Sequence, residues 1–182
     1  MAGSNRAEPR LQEGIEMEWV VKQFEVSKAA YDRLPGRDAA MICKQGLYGG
    51  CPVLKLQKAA WTNDDMTTVR NQTGIFFSIW LNAESLRLNR IHYNIHALKL
   101  RQLKGYRITG INFATEFRGL FQPMRDDWPN VSVDYGPLTL MQGWIPLVEK
   151  TFARDLAALL QRFGKISPII DEMLEKRRRA AP

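Results

Sequence analysis

IFFSIWL, residues 75–81, and IHYNIHA, residues 91–97, decide the fold of this chain. In the first stretch aromatic and β-branched residues crowd together, and apolar groups fall on both faces. That pattern predicts a central strand covered on both sides. In the second the alternation is strict. Ile91, Tyr93, Ile95 and Ala97 share one face, and His92, Asn94 and His96 share the other. A strand with one face in the core and one polar outer face follows from that period of two.

Toward the N-terminus, residues 20–31 carry Val21, Phe24, Ala29 and Tyr31 among polar neighbours, which reads as a helix closed by the Leu34-Pro35-Gly36 turn. Residues 40–44 and 52–57 read as short strands, joined through the glycine-rich connection 45–50 as a hairpin.

Toward the C-terminus, residues 98–103 permit either a longer strand or a helix start. Asn112 is expected to cap a helix, with Glu116 in its first turn and Phe113, Phe117, Leu120 and Phe121 as its apolar stripe. Pro123 and Trp128-Pro129-Asn130 close it. Residues 131–135 alternate again, and residues 138–145 are their expected partner strand, weakened by Gly143. Val148, Phe152, Leu156, Leu159, Leu160 and Phe163 then recur at helical spacing. Gly164 is the expected stop, and Ser167 with Pro168 the expected start of a second helix carrying Ile169, Ile170, Met173 and Leu174. Strands first and helices last predict an α+β fold: a mainly antiparallel sheet with a central helix and two C-terminal helices packed on it.

With 182 residues, 45% of them apolar, one domain is expected, and it needs no disulfide or metal to fold. Its expected bounds are 16–178, after a disordered leader over 1–15 and before a frayed basic tail over 179–182. Cys43 and Cys51 have no second cysteine or histidine at zinc-ligand spacing, which points to a reducing, cytoplasmic setting. No apolar run reaches the roughly 18 residues of a membrane helix, so no membrane partner is expected.

Catalytic motifs are absent. There is no phosphate-binding G-x-x-x-x-G-K-[ST], no G-x-G-x-x-G, no H-E-x-x-H and no G-x-S-x-G. His92 and His96 are the two histidines. Four residues apart on a strand they stand roughly 13 Å from each other, too far to share a metal. Neither a metal nor a cofactor is expected. An acid–base site would draw on His92 or His96 with Asp134 and Tyr135, which folding would have to bring together.

The formal charge is +7. Between Asp65 and Glu116 stands a single acid, Glu84, against Arg70, Arg87, Arg90, Lys99, Arg101, Lys104 and Arg107. A second basic cluster is Lys176-Arg177-Arg178-Arg179. Such an imbalance points to nucleic acid or another polyanion as ligand, with Arg87, Arg90, Lys99, Arg101, Lys104 and Arg107 on phosphates. It does so on one condition, that folding gathers these cations. A homo-oligomer or protein-partner module is the second expectation, and a small enzyme using one of the histidines the third.

Overall fold

The computed structural model describes residues 17–180. The expected leader over 1–15 lies outside the described residues, as do the last two positions of the tail. Helix α1 (Met17–Asp32) is followed by the hairpin β1 (Ile42–Tyr48) and β2 (Cys51–Gln57). Then come β3 (Gly74–Trp80), a single helical turn α2 (Ala83–Arg87), β4 (Arg90–Leu98), α3 (Gly110–Phe121), β5 (Thr139–Pro146) and the long helix α4 (Phe152–Glu175). The fold is α+β: an open five-stranded antiparallel sheet in the order β1-β2-β3-β4-β5. Each strand pairs with its sequence neighbour, so both strands singled out by their sequence lie inside the sheet.

The β1–β2 turn consists of Gly49 and Gly50, both at positive φ (57° and 80°), where glycine escapes the clash a Cβ would suffer. This two-residue turn fixes the register, placing Tyr48 opposite Cys51, Lys44 opposite Lys55 and Cys43 opposite Leu56. Cys43 therefore points to one face of the sheet and Cys51 to the other, and both thiols are free.

One face carries the core. Leu54, Leu56, Ile75, Phe77, Ile79, Ile91, Tyr93, Ile95 and Met141 are buried there against Val20 and Phe24 of α1, Phe113 and Phe117 of α3, and Leu156, Leu160 and Phe163 of α4. Helices α1, α3 and α4 all sit on this side, with α1 against β1 and β2, α3 against β5, and α4 touching both helices.

Four expectations change. The strand 75–81 is central but is not covered on both sides: Phe76 and Trp80 are half-buried on a face without helices. Flat rings lying on a sheet supply the hydrophobicity that suggested a second layer. The two expected C-terminal helices are one continuous helix, with Pro168 inside it. Pro168 has no N–H, so the Gly164 carbonyl four residues earlier goes without its helical donor. The buried stripe Phe163, Ile166, Ile170, Met173 and Leu174 continues past the break, so packing outweighs the roughly 3 kcal/mol that an interior proline costs. Asp171 also holds the later turns, pairing with Lys58 at 2.5 Å and accepting from the Trp61 indole at 2.8 Å. Residues 131–135 form no strand; a single bridge, Ser132 with Gln142, fastens them to the sheet edge, and β5 pairs with β4 instead. Helix α3 begins two residues before Asn112, after Thr109, and residues 98–103 become a left-handed Lys99 followed by a 3-10 turn.

Gly143, which weakened the sequence evidence for β5, is required there. It stands opposite Tyr93, whose phenol crosses over it and donates to the Pro129 carbonyl. A Cβ at Gly143 would collide with the Tyr93 phenol oxygen. Gly143→Ala is therefore expected to destabilise the protein by about 1–3 kcal/mol through overpacking, read from the midpoint of urea unfolding. A midpoint equal to wild type would show that Tyr93 moves aside freely.

Candidate functional site

Two regions of the surface combine residues capable of chemistry or binding. The first is the helix-free face of the sheet. Its centre holds a cleft of about 460 Å³ lined by residues that include Tyr48, Val53, Asn71, Phe76, Ser78, Trp80, Asn94, His96 and Gln142. The strand period places alternate residues here: Phe76, Ser78 and Trp80 from β3, and His92, Asn94 and His96 from β4. Trp80 stacks on His92, with ring centroids 4.6 Å apart and planes 14° from parallel. At the outer end Arg90 lies 4.0 Å over the Trp144 ring.

A polar chain crosses the cleft floor. Ser78 donates to the Asn94 carbonyl oxygen, and the Asn94 amide meets His96 Nε2 at 3.1 Å. His96 Nδ1 is 3.2 Å from the Leu138 carbonyl. A carbonyl accepts only, so Nδ1 carries the hydrogen and Nε2 accepts from Asn94. His96 is thus held as the neutral Nδ1–H tautomer, and burial pushes its pKa down. Burial and then the Arg90 charge also lower His92. The chain does not activate Ser78, because its proton points at an amide oxygen rather than a base. It forms a hydrogen-bonded polar floor beneath the cleft.

The four acid–base candidates do not converge. Both histidines lie on the open face. Asp134 and Tyr135 are exposed in the segment before β5, where Asp134 bonds Ser132, and neither reaches a histidine.

The second region is at the C-terminal end of β4. The six cationic candidates divide into two groups. Arg87 and Arg90 stand at the start of β4, where Arg87 pairs with Glu84 at 3.6 Å. Lys99, Arg101, Lys104 and Arg107 stand beyond its far end, roughly 27 Å away along the strand. All four are exposed, and none pairs with a carboxylate among the described residues.

The C-terminal basic cluster comes to the same end. Tyr106 and Arg178 form an antiparallel bridge. The Arg107 amide donates to the Arg177 carbonyl at 2.8 Å, and the Arg179 amide to the Gly105 carbonyl at 2.8 Å. Arg179 also donates through Nε to the Tyr106 carbonyl, so it is tied down where a frayed tail was expected. Within the cluster Lys176 and Arg177 pair with Glu116, and Arg178 with Glu175. Lys99, Arg101, Lys104, Arg107, Arg178 and Arg179 remain on the surface of one end. The chain itself reveals nothing of this pairing, since residues 105–107 and 177–179 lack strand character.

No protein-family model matches the chain, and neither a curated protein nor a solved structure matches it.

The lowered histidines give a pH dependence. A group whose folded pKa lies below its unfolded value of about 6.5 takes up its proton more readily unfolded. Its stabilising contribution is present above about pH 6.5 and is lost as the pH falls toward the folded pKa. Urea midpoints are expected to decline between about pH 7.5 and 5.5, above the ordinary carboxylate range. His96→Gln should flatten that decline, and an unchanged slope would refute the neutral tautomer.

Proposed function

We propose that the chain binds nucleic acid through the basic end formed by Lys99, Arg101, Lys104, Arg107, Arg178 and Arg179. The observation that carries this reading is the Tyr106–Arg178 bridge, which merges two basic stretches about seventy residues apart in sequence into one surface. Arg178 pairs with Glu175, but the other five have no carboxylate partner among the described residues, and like charges gathered at one end repel one another. A phosphate backbone relieves that repulsion and releases its condensed counterions on binding. The neighbouring open face adds half-buried Phe76 and Trp80, rings on which unpaired bases stack. Asn63, in the same 62–73 loop that supplies Val69 and Asn71 to the cleft, fastens that loop to the basic end, donating to the Gln102 carbonyl and accepting from the Lys104 amide. A single strand is therefore the better ligand, and Arg87, paired with Glu84, lies outside the interface.

No helix among the described residues is long and apolar enough to cross a membrane. A cytoplasmic setting, with Cys43 and Cys51 reduced, belongs to the same reading.

The test is a salt series with single-stranded oligonucleotides, followed by tryptophan fluorescence. Each phosphate-contacting cation removed should lower the slope of log K against log salt by about one unit or slightly less. Lys104→Gln, Arg107→Gln and Arg178→Gln are expected to do so in an additive way. Arg87→Gln, at the far end, should leave the slope unchanged. Binding absent even at low salt, or weakened equally by Arg87→Gln, would overturn the proposal.

A further inference from the structure

Lys44 and Lys55 occupy directly opposed positions of the β1–β2 hairpin, on the helix-free face. Opposed residues hold their Cβ atoms about 4.5–5.5 Å apart, and like charges there repel. No carboxylate among the described residues lies within ion-pair distance of either ammonium group. Lys44 Nζ is buried and has no hydrogen-bond partner. Lys55, only 2% exposed, donates to two neutral oxygens: Asn71 Oδ1 at 2.5 Å and the Arg70 carbonyl at 3.5 Å. The other end of that amide, Asn71 Nδ2, is also buried and unpartnered.

The acids close by are engaged elsewhere. Asp64 Oδ2 accepts from the Gln72 and Thr73 amides, and Asp65 accepts from the amide and hydroxyl of Thr67. These bonds shape the 62–73 loop, which is pressed onto the sheet where Val69 meets Gly46. A Cβ at Gly46 would come within 3.0 Å of the Val69 side chain. The loop thus roofs the lysine pair, and Asn71, Val69, Val53 and Phe76 line the cleft beside it.

The donors outnumber their acceptors. Lys55 has two neutral oxygens and the Phe76 ring, whereas Lys44 Nζ and Asn71 Nδ2 have no partner, and burying charge without a counter-charge is costly. Burial, and after it the Lys44 charge, push Lys55 down to about 8, and burial lowers Lys44 as well. An anion between them would hold both lysines charged and satisfy the orphaned hydrogens with charge-assisted bonds.

We propose that Lys44, Lys55 and Asn71 form a binding site for the oxyanion head of a small organic ligand, a carboxylate or a phosphate, entered from the cleft on the open face. The aromatic wall of Phe76 and Trp80 would receive the ligand's apolar body, and Asn94 and Gln142 its polar groups. This site shares no cation with the basic end; Phe76 and Trp80 enter both readings, so the two are separated by their lysine and arginine variants.

The test is an NMR titration of the full chain with inorganic phosphate, and in parallel with acetate, following the Asn71 side-chain amide. A saturable shift is expected with at least one anion. Saturation by phosphate alone assigns a phosphate ligand, and saturation by acetate alone a carboxylate. Lys55→Met and Lys44→Met should each weaken binding at least about tenfold, the loss of one charge-assisted partner. Lys44 is half-buried, so Lys44→Met serves should the Lys55 variant fail to fold. Both variants should keep their affinity for oligonucleotide. No saturable shift with either anion, or one that both methionine variants preserve, would overturn the inference. Loss of oligonucleotide binding in the basic-end variants would leave it untouched.

Discussion

Phe163 of α4 stacks on Phe77 of β3, with centroids 4.7 Å apart and planes 16° from parallel. It meets Trp128 at 5.2 Å and the edge of Tyr93 at 6.4 Å. This one contact ties the two central strands, the turn after α3 and the C-terminal helix together. Each such ring contributes about 1.5–3 kcal/mol by burial, and aromatic pairing adds about 0.5–1.5 kcal/mol. The geometry around it is demanding. Trp128 must hold Pro129 where Tyr93 can donate to its carbonyl, and Gly143 must leave room for the Tyr93 phenol. With Phe163 seated, α4 has one position on the sheet, and α1 and α3 pack on either side of it.

Two consequences follow for the surface. All the long helices lie on one face, so the other keeps its polar chain, its rings and its lysine pair beside a cleft roofed only by the 62–73 loop. The length of α4 also carries its last turn to the far end of β4. There the chain leaves the helix and pairs with residues 105–107. The ion pair of Arg177 with Glu116 of α3 and the packing of Arg177 on Phe113 fix that exit. Charge clustering at this end is thus a product of helix length and docking rather than of local composition.

Much of the fold was legible in the chain. The alternation of residues 91–97 gave both the strand and its buried face, and the glycine-rich stretch 45–50 gave a hairpin. The strands run further into that stretch than their sequence suggested, leaving only Gly49 and Gly50 to turn, and the opposition of Lys44 and Lys55 follows from that shorter turn. The misreadings share one cause. Gly164, Pro168 and the apolar rings of residues 75–81 carry local signals that tertiary packing overrules. The stripe beyond Pro168 is buried, so the helix continues; Trp80 rests on His92, so no second layer is needed. The alternation of residues 131–135 was real, and the outer edge of β5 was free to pair, but only Ser132 reaches it, so the segment makes one bridge and no strand.

The amino-acid sequence by itself determined most of the strand and helix segments, the apolar face of residues 91–97 and the helical stripe after Val148, and how much positive charge the chain carries. Hydrophobic period and turn chemistry are local properties, and they act before any contact forms. Only the tertiary structure decided which face of the sheet stays open, that Asp134 and Tyr135 stand apart from the histidines, and which cations become neighbours. Those outcomes depend on contacts between residues far apart in sequence, chiefly the seating of one long helix, and no local pattern encodes them.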